Sequence, residues 1–210
     1  MRGIFGRWND VGEIGGEIGK DRILGGLLKT GQTTQYGGYP DDGYYQKGLS
    51  KLYTILTLGQ YAGTTSITVA TKTDLISNNC VYDRRTKLMW SRYCSDGLGP
   101  AGDGKMPWTT DGSGHGIFAF VAAANAAKLG GYSDWRIPNL TELISLANTE
   151  PPTSAPDATA FPVWPTTDNF HSSNTFPINT IYTLILHYAY TLPGNALKTD
   201  NLFISLVRGG

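Results

Sequence analysis

The chain is short of charge, cysteine and histidine, and each shortage removes a class of function. Charged residues make up 16% of its 210 residues, against about 25% in an ordinary soluble domain. The formal net charge is +0, and neither half carries a long run of one sign. A nucleic-acid binder needs a basic stripe, and a surface-bound membrane protein a basic amphipathic helix; neither is written here. No stretch approaches the roughly 18 consecutive apolar residues of a membrane span. Neither a nucleic-acid partner nor membrane insertion is therefore expected. Two cysteines, Cys80 and Cys94, are too few for a disulfide framework. They form either one local bridge or two separate small buried side chains, and lack the further ligands of a zinc site. His115, His171 and His187 are the three histidines, and no serine sits in a nucleophile elbow, so no enzyme is expected. The first twenty residues hold Gly, Glu, Asp and Arg without an apolar core, so a cleaved signal is not expected. Display on a virion or a cell would need another route; otherwise the location is cytoplasmic.

What is abundant is glycine, with 27 residues, alongside Tyr, Thr, Ser and Asn, a composition that spends much of its length in turns. Residues 1–28 form a Gly-rich leader. Its glycines do not make a phosphate loop, because the Lys-Ser/Thr ending is missing. The runs Leu52–Leu58 and Ser66–Thr71 are β-branched and aromatic, and the Gly-bearing link between them predicts a hairpin. Further strands are expected at Cys80–Tyr82 and Lys87–Trp90. A Gly- and Asp-dense loop, Ser95–Gly116, follows. Its Asp96, Asp103 and Asp111 offer oxygen ligands for calcium, but the spacing matches no EF-hand, and such loops are ordinarily turns. No cofactor is expected.

Two helices are predicted. The first, Ile117–Leu129, is Ala-rich, places Phe120, Val121, Ala124 and Lys128 at helical intervals, and stops at Gly130-Gly131. The second starts at Asn139, which caps while Glu142 reaches back to the cap N–H, and Pro151-Pro152 ends it. After Phe161 come short strand-like pieces at Ile181–Leu186, Tyr188–Leu192 and Leu202–Val207. Helices between two sets of mostly antiparallel strands make an α+β domain with long irregular loops.

Four segments in a fixed order carry a resemblance. They are Asp83–Trp90 (Asp-Arg-Arg-Thr-Lys-Leu-Met-Trp), the Ala-rich Ala122–Leu129, Trp135-Arg136-Ile137-Pro138 with Glu142-Leu143, and the terminal Ile204–Gly210. Together they resemble the C-terminal domain family of collagen-like adhesins, a C-type-lectin-like family. Lys29–Thr33, Asp41–Gly43 and Gln46–Gly48 are similar to longer members, so the resemblance covers most of residues 29–210. Ser205 stands where that family usually has Arg, and the segments 49–77 and 179–198 depart from its pattern. The resemblance implies a C-type-lectin-like fold. Trp90 and Trp135 read as apolar anchors between helix and sheet, Arg136 as a hydrogen-bonding scaffold group, and Glu142 as a cap. Formylglycine-generating enzymes share that fold but need cysteines near the C-terminal site, and none follows Cys94. The lectin-like triplet Trp8-Asn9-Asp10 lies at the wrong end of the chain and is a coincidence.

The same resemblance extends to variable proteins of diversity-generating retroelements. In those, adenine mutagenesis turns AAY codons near the 3′ end into NNY, which encodes no Met, Trp, Gln, Lys or Glu. From Pro165 to Gly210 only Lys198 belongs to that excluded set. The region after Trp164, about 164–203, is accordingly the expected ligand surface, with an unidentified protein or glycan as receptor. Its composition is similar to that of a paratope, with rigid Tyr and adaptable Asn and Ser. The candidate contacts are Thr167, Asp168, Asn169, His171, Asn174, Tyr182, Leu184, His187, Tyr188, Tyr190 and Asn195. Strand alternation would put Tyr188 and Tyr190 on one face and His187 on the other, and half of these side chains would be structural. Phe203–Arg208 reads as the closing strand of the scaffold. A fixed-specificity adhesin binding a glycan or polyanion is the alternative, although the tail lacks clustered Lys and Arg.

Overall fold

The computed structural model describes residues 28–35, 42–45, 48–56, 66–69, 72–75, 80–92, 104–108, 116–149, 156–162 and 164–210. Asp96, Asp103, Asp111 and Cys94 lie outside them, so the calcium and bridge expectations are not addressed. The leader, except for its last residue, lies outside as well.

Four strands make the central sheet: β1 (Tyr53–Leu56), β4 (Cys80–Asp83), β5 (Leu88–Ser91) and β9 (Val207–Gly209), antiparallel in the order β1-β4-β5-β9. A separate pair joins β2 (Ser66–Val69) to β3 (Lys72–Leu75). The hairpin predicted between the two β-branched runs is therefore not formed. The first run pairs with β4, Ile55 facing Val81, and the second closes on its own continuation through a shorter link. Sequence proximity suggested the pairing, and a neighbour further along the chain supplies the partner.

The Asp83–Trp90 motif is the β4–β5 turn. The buried carboxylate of Asp83 accepts from the Arg85 N–H at 2.8 Å and the Thr86 hydroxyl at 2.8 Å. Lys87 takes φ +64. The motif's Asp and Thr thus fix a turn, and its Leu-Met-Trp becomes a strand buried throughout, as a strand covered on both faces should be.

On one face lie α2 (Ile117–Ala126) and the side chains Cys80, Met89, Phe120, Leu129 and Trp135. On the other lie α3 (Leu140–Leu146) and Val81, Leu88, Trp90, Leu143 and Leu146. A one-turn helix α1 (Asp42–Tyr45) precedes the sheet. Helix α2 stops at Ala126, before the predicted Leu129, and Lys128 is left-handed at φ +52. The chain then makes a short 3-10 turn through Leu129–Gly131. Helix α3 starts as predicted. The Asn139 side chain accepts from the Glu142 N–H, and the Glu142 carboxylate accepts from the Asn139 N–H, each at 2.8 Å.

The third sheet is β6 (Asn169–Thr175), β7 (Tyr182–His187) and β8 (Leu192–Leu197), antiparallel with β7 in the middle. The polar run of β6 carries no strand signal of its own and was not predicted. Of the expected strand Tyr188–Leu192, residues 188–191 are instead the turn between β7 and β8, and Leu192 opens β8. The closing segment is a strand only at Val207–Gly209, with Met106, Phe170 and Arg136 bridging Leu202, Phe203 and Val207. The architecture is α+β, as expected. Among the described residues no helix is long and apolar enough to cross a membrane.

Candidate functional site

The scaffold residues take the roles their types suggest. The indole N–H of Trp135 donates to the Leu129 carbonyl at 2.8 Å, and Asn125 brackets the Trp135 backbone with two hydrogen bonds. Trp90 is wholly enclosed among Val81, Leu143, Phe170 and their neighbours. Arg136 donates to both carboxylate oxygens of Glu142, at 2.8 and 2.7 Å, and to the Gly209 carbonyl at 3.2 Å. Burial opposes the charge of Glu142, but Arg136 and the Asn139 N–H outweigh it and hold its carboxyl below the usual range.

The eleven candidate contacts separate into three groups. Two are core. His171 is fully buried, with its Nε2 3.1 Å from the Asp200 carbonyl. Burial pushes its pKa down to about 4. Tyr188 is fully buried too, edge-on to Trp164 and Phe170, and its hydroxyl donates to the Leu143 carbonyl at 3.0 Å. Both leave the set of contacts. Asn174 is exposed, but its side-chain oxygen accepts from the N–H of Leu140, the first residue of α3, and this binds the strand to the helix. Asp168 pairs with Lys105 at 2.9 Å, leaving its neighbour Thr167 as the exposed residue there.

The remaining candidates lie on the β6–β7–β8 sheet and its β7–β8 turn, on opposite faces. Leu184 faces Asn195, and Tyr182 faces Leu197. Side-chain alternation puts these four with Pro193 on one face, the same face whose deeper member Leu186 packs into the core. On the other face His187 lies between Asn169 and Leu192 in register. Tyr190, 74% exposed, folds back from the turn and stacks on His187 with centroids 5.0 Å apart. Tyr188 and Tyr190 therefore do not share a face. They belong to a turn in which Thr191 takes φ +49, and the strand periodicity behind the expectation does not hold there. Thus Tyr190 and His187 belong together, and Tyr188 goes to the core.

One group that sequence reading missed is Lys51, beside a cleft of about 380 Å³ lined by Leu28, Lys29, Thr141, Ile144 and Thr191. Burial lowers the Lys51 pKa to about 8, against the pull of Asp83 and Asp157. A perturbed lysine in a cleft invites a catalytic reading. Its ammonium, however, donates to the carbonyls of Leu146 at 3.0 Å and of Ala147, capping the C-terminus of α3 as a cation there should. Only folding brings residues so far apart in sequence together. Among the described residues no group of three or more His, Cys, Asp or Glu could hold a metal ion.

A family model, the Lcl C-terminal domain, matches residues 79–208. No curated protein matches the sequence. The match runs from β4 into β9 and takes in three of the four segments that suggested the C-type-lectin-like fold and the first five residues of the terminal one. That fold is the one the α+β arrangement carries.

Proposed function

The chain belongs to the Lcl C-terminal domain family, a lectin-like, adhesin-type domain, and from that membership we propose that it is a non-enzymatic binding protein. Its contact surface is the β7–β8 hairpin with the adjoining end of β6. One observation carries this reading: the hairpin is anchored from inside and apolar outside. Leu186 and Tyr188 are fully buried, whereas Tyr190 and Leu192 are 74% and 62% exposed and Asn195 is also exposed. Rigid support beneath adaptable, aromatic-bearing residues is what a paratope needs, because little entropy is then lost on binding.

The finer proposal is that this surface is diversified by a retroelement. Its support is the near-absence, after Trp164, of the five residue types that NNY codons omit. The one exception, Lys198, sits with its ammonium 4.1 Å over the Trp108 ring and donates to Thr175 at 2.9 Å. That is a scaffold contact, which diversification would spare. The ligand is a protein or glycan receptor on another cell or particle, reached by display on a virion or cell surface. Binding uses no metal or cofactor, so a chelator leaves it unchanged. Neither nucleic acid nor membrane insertion takes part.

The locus tests the finer proposal. Expected is a near-copy of the 3′ end of the gene, differing only at adenines of the copy, beside a reverse transcriptase gene. A complete locus without such a repeat leaves the fixed-specificity adhesin, which family membership favours as the second reading.

A further inference from the structure

Two adjoining cavities lie where the segment 28–31 crosses the end of α3. The Thr30 carbonyl accepts from the Thr149 N–H at 2.9 Å and from the Thr149 hydroxyl at 3.2 Å. Gly31 takes φ +94 against the Asn148 side chain, where a Cβ would overlap the amide. The larger cavity, about 380 Å³, has apolar walls from Leu28, Ile144 and Ala147. The smaller, about 260 Å³, is more polar, with Ser50, Tyr53, Asn148 and Asp157 in its lining. Lys29 and Lys51 line both, so the two spaces meet at a pair of ammonium-bearing side chains.

Donors and acceptors around this junction do not balance. Each nearby carboxylate already holds a protein donor. Asp42 takes the Thr30 hydroxyl, and Asp83 takes the Arg85 N–H and the Thr86 hydroxyl. Asp157 takes the N–H groups of Thr159 and Ala160, both at 2.9 Å. Lys51 is committed to the carbonyls that end α3. Two donors have no such partner. Lys29 is half-buried, and its ammonium makes no hydrogen bond or ion pair among the described residues. The Tyr53 hydroxyl is buried and unpartnered. Burial, with Asp83 and Asp157 adding to it, pushes its pKa up, so it stays a protonated donor. Buried polar groups ordinarily find a partner, and what is unmet here is an acceptor oxygen.

We propose that the paired cavity is a binding site for a small aliphatic carboxylate, its chain among Leu28, Ile144 and Ala147 and its head toward Lys29 and the Tyr53 hydroxyl. The chain leaving water supplies affinity, and a few polar groups supply orientation, as in small-molecule pockets generally. A cationic ligand meets two ammonium groups of its own sign and carboxylates that are already engaged. The cavity touches the contact surface proposed above only through Thr191 of the β7–β8 turn and does not rest on that reading.

The test titrates the full chain calorimetrically with octanoate, butanoate and octylamine, each below its micelle-forming concentration. It is repeated on Lys29→Met, which keeps the aliphatic stem, and on Tyr53→Phe, which keeps the ring edge-on to Phe161. Neither substitution removes a side-chain bond that the fold uses, and circular dichroism checks that both variants fold. Expected is saturable octanoate binding that is several-fold weaker for butanoate, absent for octylamine, and several-fold weaker in both variants. Butanoate bound as tightly as octanoate takes the chain out of the larger cavity and overturns the inference. Octylamine bound as tightly as octanoate overturns it through the charge. No saturable octanoate binding, or binding that neither variant alters, overturns it as well.

Discussion

The hydroxyl of Tyr188 donates to the carbonyl of Leu143 at 3.0 Å, fastening the turn that follows β7 to the middle of α3. The ring below that hydroxyl is packed edge-on against Trp164 and Phe170. Tyr188→Phe keeps the packing but leaves a buried carbonyl without its donor, and should cost about 1 kcal/mol. Tyr188→Ala also opens a cavity and should cost about 3–5 kcal/mol. Urea unfolding of the two variants checks the order; equal losses would mean that the ring contributes nothing.

Two residues on, Tyr190 has the opposite character. Its ring covers His187 from outside and is 74% exposed, so Tyr190→Ala should move stability by no more than about 0.5 kcal/mol. The same substitution should abolish or strongly weaken adhesion to the receptor-bearing cell or particle. Measured side by side, Tyr188→Ala and Tyr190→Ala should separate stability from binding.

How far the sequence could reveal this depended on how local each determinant is. The capping box at Asn139 and Glu142 is set by residues within one turn and was legible, whereas the first predicted helix ends at Ala126, short of the Gly130-Gly131 stop that the sequence suggests. The turn chemistry of Asp83 and Thr86 lay within a recognised motif. Strand partners were not legible: β1 pairs with β4, and nothing in Leu52–Leu58 names Cys80–Asp83 as its neighbour. Strand β6 went unseen because Asn-Phe-His-Ser-Ser-Asn-Thr has the composition of a loop. It is held as a strand by Ser172 and Thr183, whose hydroxyls donate to the Leu184 and Ser172 carbonyls. Among the candidate residues, assuming unbroken alternation through Tyr188–Leu192 misplaced the tyrosines, because Tyr188 turns into the core and Tyr190 out of it.

The Arg136–Glu142 pair joins the capping box to the C-terminal strand, since Arg136 also reaches the Gly209 carbonyl. Arg136→Met should cost about 1–2 kcal/mol, reduced from the buried-pair figure because the arginine side chain is 43% exposed. The Glu142 carboxyl titrates below its ordinary value of 4.5 in the folded chain. Its contribution is therefore full above about pH 4.5 and lost as pH falls through the lower folded value. In Arg136→Met that acid limb should flatten, as denaturant melts at pH 5 and pH 3 would report.

His171 acts at higher pH. Burial holds it at about 4 when folded, against 6.5 when free, so the unfolded chain binds the extra proton between those values. Stability from this group is complete above pH 6.5 and declines as pH falls toward 4. Between pH 7 and pH 5 the loss should be about 2 kcal/mol. His171→Gln, less stable at pH 7, should lose that slope. A slope unchanged in the variant would assign the proton to another group.

Most direct for the account as a whole is deep sequencing of the 3′ end of the gene across a population that carries it. Substitutions should gather at exposed or half-exposed positions of the hairpin and its approach, Thr167, Tyr182, Leu184, Tyr190, Leu192 and Asn195. Phe170, Leu186 and Tyr188, which hold the sheet in the core, should stay fixed. Variation spread evenly over both groups, or none at either, would contradict a diversified binding surface on a fixed lectin-like scaffold.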